Sequence, residues 1–325
     1  MTLYAFQRLL QSIAVLFAVS VAVFLAVYAI GNPADLLISP DATQLERQEL
    51  IARLGLDQPI WTQYATFLWN GLHGDMGTSF VHGEPALRLI LTRLPATFEL
   101  VTLSLLVASL IGIPIGLWVG LNDGSRLSSA VMTGSIFGYS IPSFWKGLVL
   151  ILVFAVWLRL LPASGRGDTV AVLGIPFSFL TLDGWRHLAM PVLNLSIPNI
   201  ALMIRLTAAG AAEARNQDYV KFARAKGVGS RRIVRRHILR NILSPIVTIL
   251  GMEFGSLLAF STITETVFAW PGMGKLLITS IYQLDRPVIV SYVMLVTFIF
   301  VVINLLVDFA YAALDPRVKL VERLS

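Results

Sequence analysis

Apolar positions in this chain fall in long unbroken blocks, not in the alternation of a half-buried soluble fold. Leu9 to Ile30 is 22 residues without a charge. As a helix, that block crosses a hydrocarbon core of about 30 Å. The apolar region of a signal peptide is only about 7–15 residues, so residues 1–30 read as a short N-terminus with Arg8, expected inside, followed by an uncleaved first span. Five further blocks of spanning length cover residues 96–121, 130–157, 188–209, 242–264 and 288–314. The pattern predicts an all-α integral membrane protein with six transmembrane helices.

Polar stretches divide the blocks. Residues 31–95 form an insert between spans one and two. Within it Thr43 and Glu46 make a capping box for a short helix over 44–54, closed at Gly55. Pro59 opens a second helix, with Ile60, Tyr64, Phe67 and Leu68 on one face. Pro85 opens a third over Ala86–Leu94, and none of the three is long enough to span. Residues 158–187 and 267–287 are shorter loops, 210–241 is a charged loop, and 315–325 is a tail.

Inside the spans, small residues recur every four positions. Gly112, Gly116 and Gly120 in the second span, and Gly251 and Gly255 in the fifth, lie on stripes that admit close helix packing. Pro142 divides the third span, and Pro191 and Pro198 break the fourth. Ionisable groups in or beside spans are Glu99, Lys146, Arg205, Glu253, Glu265 and Asp308. Such groups are costly in lipid and pair internally, snorkel or line a cavity. Lys146, Glu253, Glu265 and Asp308, with Tyr139, Ser140 and Pro142 at the third-span break, are the candidates for a pathway or gate.

Composition agrees with the pattern: 56% of the residues are hydrophobic and 14% charged, against about 25% charged in soluble domains. The formal net charge of +6 is concentrated in loops. Nine Lys/Arg lie between Ala212 and Asn241, and a short loop this basic stays in the cytoplasm. With both termini inside, the cytoplasmic segments hold fourteen Lys/Arg and the outer ones nine. The insert is then extracytoplasmic.

There is no cysteine, hence no disulfide framework, thiolate metal site or thiol nucleophile. The nearest approach to a phosphate-binding loop, AWPGMGKL, has Ala269 in place of the first glycine and Leu276 in place of Ser/Thr. His73, His82, His187 and His237 are scattered without metal-ligand spacing. No G-x-S-x-G elbow occurs. The reading is a non-catalytic chain without metal or cofactor of its own.

The basic loop carries DYVKFARAKG followed by RHILRN. This resembles the cytoplasmic loop of ABC-importer permeases, and more narrowly of the dipeptide/oligopeptide (peptide/opine/nickel) permease family. Further matching segments are RLGLDQPIWTQY, HGDMGTSF, PATFEL, SIPSFW, RLLPASG, RLTAAG, ETVFAWPGMGK and LVDFAYAALDPR, in order along almost the whole chain. The resemblance implies a type I ABC importer permease fold with an extracytoplasmic insert, in a bacterial inner membrane. It also implies a second, similar permease subunit (non-identical, in a heterodimeric permease), two cytoplasmic ATPase subunits that bind ATP and Mg, and an extracytoplasmic binding protein. Asp218, Tyr219, Val220, Lys221, Phe222, Ala223, Arg224, Ala225, Lys226 and Gly227 are implied to form the coupling helix that docks on an ATPase. Tyr219, Val220, Phe222 and Ala223 would enter an apolar groove there. Gly227 permits a sharp turn or a close backbone approach.

Two positions depart from the general importer pattern. Lys221 stands where a glutamate is usual, and His237-Ile238-Leu239-Arg240-Asn241 replaces Ile-x-Leu-Pro. Both agree with the peptide branch. Taken on charge alone, the loop is equally a basic segment bound to anionic membrane lipid; nucleic acid is excluded as a partner of so short a loop pinned between spans. Peptides are the expected cargo, with opines, glutathione, sugars or nickel as alternatives on the same machinery. A stand-alone secondary carrier is the rival reading from a different class.

Overall fold

A computed structural model of the chain describes residues 2–29, 43–53 and 55–314. The tail with Arg317, Lys319 and Arg323 lies outside the described residues. The chain forms α1 (Thr2–Ala29), α2 (Gln44–Arg53), α3 (Ile60–Leu72), α4 (Ala86–Leu121), α5 (Arg126–Ser140) and α6 (Ser143–Leu150), which runs on as a π-helical stretch to Trp157. There follow a short hairpin of β1 (Val170–Val172) and β2 (Ile175–Phe177), then α7 (Leu182–Arg215), α8 (Asp218–Ala225) and α9 (Ser230–Ile233). A π-helical stretch, Val234–Ile238, joins α9 to α10 (Leu239–Phe260); α11 (Thr262–Val267), α12 (Met273–Tyr282) and α13 (Arg286–Leu314) complete the chain. Among the described residues, five helical runs are long and apolar enough to cross a membrane, and the pair α5–α6 supplies a sixth if its sharp bend is part of one span.

Several sequence expectations change in detail. The short helix expected over 86–94 is the first part of α4, which runs on through Pro95 into the second span without a break. Pro142 does not kink a helix from inside. α5 stops at Ser140 and α6 restarts after Pro142, at 99° to it. Pro191 and Pro198, expected to break the fourth span, lie within the unbroken α7. Each proline removes one ladder bond, while Ser196 and Asn199 donate back to the carbonyls of Val192 and Leu195 one turn earlier. The loop 158–187 contains a hairpin. Leu173 and Gly174 form its two-residue turn at φ 52° and 80°, the positive-φ geometry that matches strand twist.

The chain divides into two units, one of residues 1–97 with 271–301 and the other of 98–270 with 302–325. In the first unit, Tyr64 and Phe67 of α3 pack on α1. The Tyr64 ring meets Phe24 at 5.3 Å and its hydroxyl lies 2.8 Å from that of Ser20. The i, i+3 spacing of Tyr64 and Phe67 therefore gives the contact face expected of the insert helix. The fully buried Asp285 accepts from the Ser79 hydroxyl and, at 3.1 Å, from the Phe80 N–H. This ties the turn before α4 to the start of α13. At the capping box, the Thr43 N–H donates to Glu46 at 2.8 Å.

The second unit is organised on α4 and α7. A Cβ placed on Gly112 would lie 2.5 Å from Met203 Cβ, and one on Gly116 would lie 2.6 Å from the Ile204 carbonyl oxygen. One on Gly120 would strike the Ala208 carbonyl oxygen. The stripe predicted from sequence is thus the seam where the two backbones touch. Serines reinforce it: Ser196 donates to the Ser104 carbonyl at 3.0 Å. Gly251 of α10 lies against the Val307 side chain, and Gly255 is buried.

Candidate functional site

The charged loop begins where α7 ends. Arg215, in the last turn of α7, donates from Nη1 to the Leu121 carbonyl oxygen at 2.9 Å. That oxygen is an orphan acceptor at the C-terminus of α4, which a guanidinium satisfies. One arginine therefore fixes the ends of two spans to each other at the root of the loop. In the sequence Arg215 is one of nine basic residues of the loop, and nothing local marks it for this contact.

After a turn at Asn216 and Gln217, α8 runs from Asp218 to Ala225. Its residues separate by face. Val220 and Ala223 are buried, at 0% and 6% exposure, in a cluster with Ala211, Ile233, Ile238 and Ile242. Tyr219 and Phe222 point out, Phe222 at 62% exposure. This corrects the expectation that all four enter a partner's groove: the chain uses Val220 and Ala223 to seat α8 on its own α7, α9 and α10. Residues 219, 222 and 226 share the outer face by the i, i+3, i+7 rule, and Lys226 Nζ lies 4.5 Å from the Phe222 ring centroid. Lys221 pairs with Asp218 at 2.9 Å. Both are exposed, so that pair contributes little. Arg224 and Ala225 are exposed as well.

The end of α8 is defined by hydrogen bonds. The Val228 N–H donates to the Ala223 carbonyl at 3.1 Å and the Gly227 N–H to Arg224 at 2.9 Å. With Gly227 at φ 77°, this is a Schellman cap, which requires a left-handed residue at that point. No atom lies within 4 Å of a Cβ built there. Of the two roles read from sequence, the turn is present, and among the described residues no backbone comes close.

The pathway candidates lie on α5, α6, α10, α11 and α13 and at the break between α5 and α6. Ser140 donates back to the Ile136 carbonyl at 2.9 Å, and Tyr139 is exposed on the same turn. Glu265 is fully buried beside Ser261, whose hydroxyl donates to it at 3.2 Å. Its carbonyl accepts from the Trp270 N–H at 2.8 Å, so Glu265 braces the turn after α11. Glu253 and Asp308 are half-buried. Lys146 on α6 is 6% exposed, and among the described residues it makes no hydrogen bond or ion pair. Its neighbour Gly147 touches α11, where a Cβ would approach Val267 to 2.9 Å.

Glu99 has a clearer task than its position near a span end suggested. Its side chain is fully buried and holds Arg166 at 2.8 Å. It also accepts from the N–H groups of Ser178 and Phe179 at 2.6 and 2.8 Å. Arg166 donates in addition to the Pro176 carbonyl at 2.7 Å. One carboxylate thus pins both arms of the 158–187 loop to α4.

Comparison with known proteins adds the family. Residues 112–320 match the model described as "Binding-protein-dependent transport system inner membrane component", and residues 1–101 match its N-terminal companion. The chain is 36% identical over 321 residues to the oligopeptide transport system permease protein AppB of Bacillus subtilis (strain 168), covering 98% of this chain and 100% of that one. It is 34% identical to the dipeptide transport system permease protein DppB of Escherichia coli (strain K12), covering 89% of this chain and 90% of that one. It is 37% identical to the glutathione transport system permease protein GsiC of Escherichia coli (strain K12), covering 97% and 98%. Among solved structures, the MetNI methionine ABC transporter in its inward-facing conformation superposes with a TM-score of 0.53 at 18% identity, over 70% of this chain and 96% of that chain. That likeness supports the helical fold alone. Matched along nearly its whole length by both models and by these relatives, the chain belongs to the binding-protein-dependent transport system inner membrane components and is a non-catalytic, multi-pass permease subunit of an ABC importer.

Proposed function

We propose that this permease carries short peptides across the inner membrane, that its binding protein delivers them on the insert side, and that α8 is its coupling helix. The names of the relatives support the cargo: oligopeptide, dipeptide and glutathione systems share a peptide-like substrate. The observation that carries the coupling role is the two-faced α8. One face is locked into the chain's own core, and the other presents Tyr219, Phe222 and Lys226 outward. A lever needs this arrangement, because a push on the outer face reaches α7 and α10 only through rigid buried contacts. The positive-inside rule puts α8 and both termini in the cytoplasm. ATP is bound and hydrolysed by partner subunits, and the sister permease is a different, similar chain.

Within the body, Lys146 is the group we assign to the pathway. A buried ammonium without an internal partner is held at a cost unless a substrate, water or the sister chain answers it. A peptide carboxylate is the matching charge. Tyr139, Glu253 and Asp308 stay in the proposed pathway with it, whereas Ser140, Pro142 and Glu265 serve the bend and the turn.

The chain lacks cysteine, which makes the test simple. In the assembled complex, F222C crosslinks to an ATPase subunit and A223C does not. Crosslinking through A223C alone, or labelling of F222C by an impermeant reagent added outside intact cells, overturns the reading.

A further inference from the structure

Ser230–Phe260 is one helical run of 31 residues. At about 1.5 Å per residue it is about 46 Å long, some 16 Å more than the hydrocarbon core needs. The excess is the charged end. Arg231, Arg232, Arg235, Arg236 and Arg240 line a single open recess of about 640 Å³, closed at its upper end by Leu243. In a regular α-helix, Arg231 and Arg240 would face nearly opposite ways, since nine residues make two and a half turns. The π-helical turns at Val234–Ile238 take more residues per turn, and so swing Arg240 back toward Arg231. Among the described residues none of the five guanidinium groups has an ion pair or hydrogen bond. All five side chains are exposed, while Ile233 and Ile238 between them are buried in the core that seats α8. The coupling helix therefore does not use this charge.

A separate apolar furrow lies further along the same face. Arg240 and Leu243 are followed on α10 by Val247, Leu250, Gly251 and Phe254, each three or four residues from the last or beside it, so all lie on one face. The last four line a furrow of about 450 Å³, walled by Leu105 and Leu106 of α4 and by Leu306 of α13. From Leu243 to Phe254 is about 16 Å, the depth of one leaflet of a core about 30 Å thick. Arg240, Arg236 and Arg235 lie about 3–10 Å below Ile242, where the uninterrupted apolar span begins, at the level of lipid phosphates.

We infer that this face of α10 binds one anionic glycerophospholipid, its phosphate among Arg235, Arg236 and Arg240 and an acyl chain along the furrow. The excess of unpaired positive charge selects an anionic headgroup. The apolar continuation selects a lipid over free phosphate, which has no use for a furrow. Arg231 and Arg232 close the lower wall and add attraction without contact to the glycerol. A lipid held here is in line with the helix that seats α8, so the lipid would stiffen the coupling end of span five.

The test uses the complex purified with its sister and ATPase subunits, stripped of lipid in detergent, and read by native mass spectrometry. Phosphatidylglycerol or phosphatidylcholine of matched chains is then added back. The wild type is expected to retain phosphatidylglycerol about ten-fold more tightly. R236Q lowers that retention about five-fold and R235Q/R236Q about thirty-fold. R126Q, at an exposed position away from the recess, changes nothing. V247W, which fills the furrow, lowers retention of both lipids. Equal retention by wild type and R235Q/R236Q sinks the proposal, as does no preference over phosphatidylcholine. Full displacement of lipid by millimolar inorganic phosphate, with V247W binding lipid normally, makes the recess a bare phosphate site and also overturns it. So does crosslinking of R235C to a neighbouring subunit, because a protein then covers the arginines. Lipid retention needs neither transport nor a particular cargo, so failure here is distinguishable from failure of the coupling reading.

Discussion

Gly227 offers a test in which backbone conformation and side-chain bulk give different answers. Its φ of 77° belongs to the left-handed region, which costs an L-residue about 1–2 kcal/mol. A Cβ built there meets no atom within 4 Å, so within the chain no steric term adds to that cost. The two cap hydrogen bonds, Val228 to Ala223 and Gly227 to Arg224, persist only while the left-handed turn persists. Asparagine tolerates that turn best among non-glycine residues and should cost under about 1 kcal/mol. Alanine should cost about 1 kcal/mol, and β-branched valine about 2 kcal/mol or more. At about 1.4 kcal/mol per factor of ten, the capped form of α8 falls several-fold in Gly227→Ala and about thirty-fold in Gly227→Val. Uptake of a labelled dipeptide into proteoliposomes holding the whole complex, with ATPase stimulation by the binding protein measured beside it, should follow the order Gly, Asn, Ala, Val. Membrane insertion should survive in all four. If Gly227→Asn is as inactive as Gly227→Val, side-chain volume against a partner controls the loss and the cap argument fails. Unchanged transport in all three variants would remove α8's geometry from coupling altogether.

Other expectations follow from single contacts. Glu99→Ala leaves the Arg166 guanidinium and two backbone N–H groups without their acceptor; breaking so buried a pair costs about 3–5 kcal/mol. Thermal unfolding of the purified complex should show this, with Glu99→Gln milder, and an unchanged melting temperature would refute the clamp. Gly116→Val forces α4 and α7 apart, because even a Cβ would lie 2.6 Å from the Ile204 carbonyl oxygen. A loss of about 1–3 kcal/mol is expected, visible as a lower melting temperature in detergent. Lys146→Met should leave assembly intact and raise the KM for peptide uptake; a stable complex with unchanged KM argues against its pathway role. Glu46 is held below its ordinary carboxylate range, first by the Thr43 backbone N–H and then by the Thr43 hydroxyl. The folded value is depressed, so the cap is present above the unfolded pKa of about 4.3 and is lost as pH falls through the lower folded value. Protection of the amides of residues 44–53, corrected for the intrinsic exchange rate at each pH, should exceed that of Glu46→Gln at pH 6 and match it once Glu46 is protonated.

Much of this protein is set by its order of residues alone. The bilayer makes that possible: a span must be about twenty apolar residues long and satisfy its own backbone, so six blocks announce themselves. Small-residue stripes are equally legible, and Gly112, Gly116 and Gly120 meet α7 as their spacing requires. The turn at Gly227 follows from glycine chemistry. What the linear pattern could not decide was which side of a short helix looks inward. DYVKFARA alternates apolar and polar residues on both faces, and only the core of Ala211, Ile233 and Ile242 chooses Val220 and Ala223 over Tyr219 and Phe222. Partners far apart in sequence were also invisible. Glu99 reaches Arg166 across 67 positions and Arg215 reaches Leu121 across 94, and no local rule pairs them. The same holds for Pro142, which a helix rule reads as a kink and the fold uses as a restart at 99°. Local sequence fixes the length and polarity of each helix because lipid and backbone act on it directly. The direction a side chain takes is settled by its neighbours, and those exist only once the helices have packed.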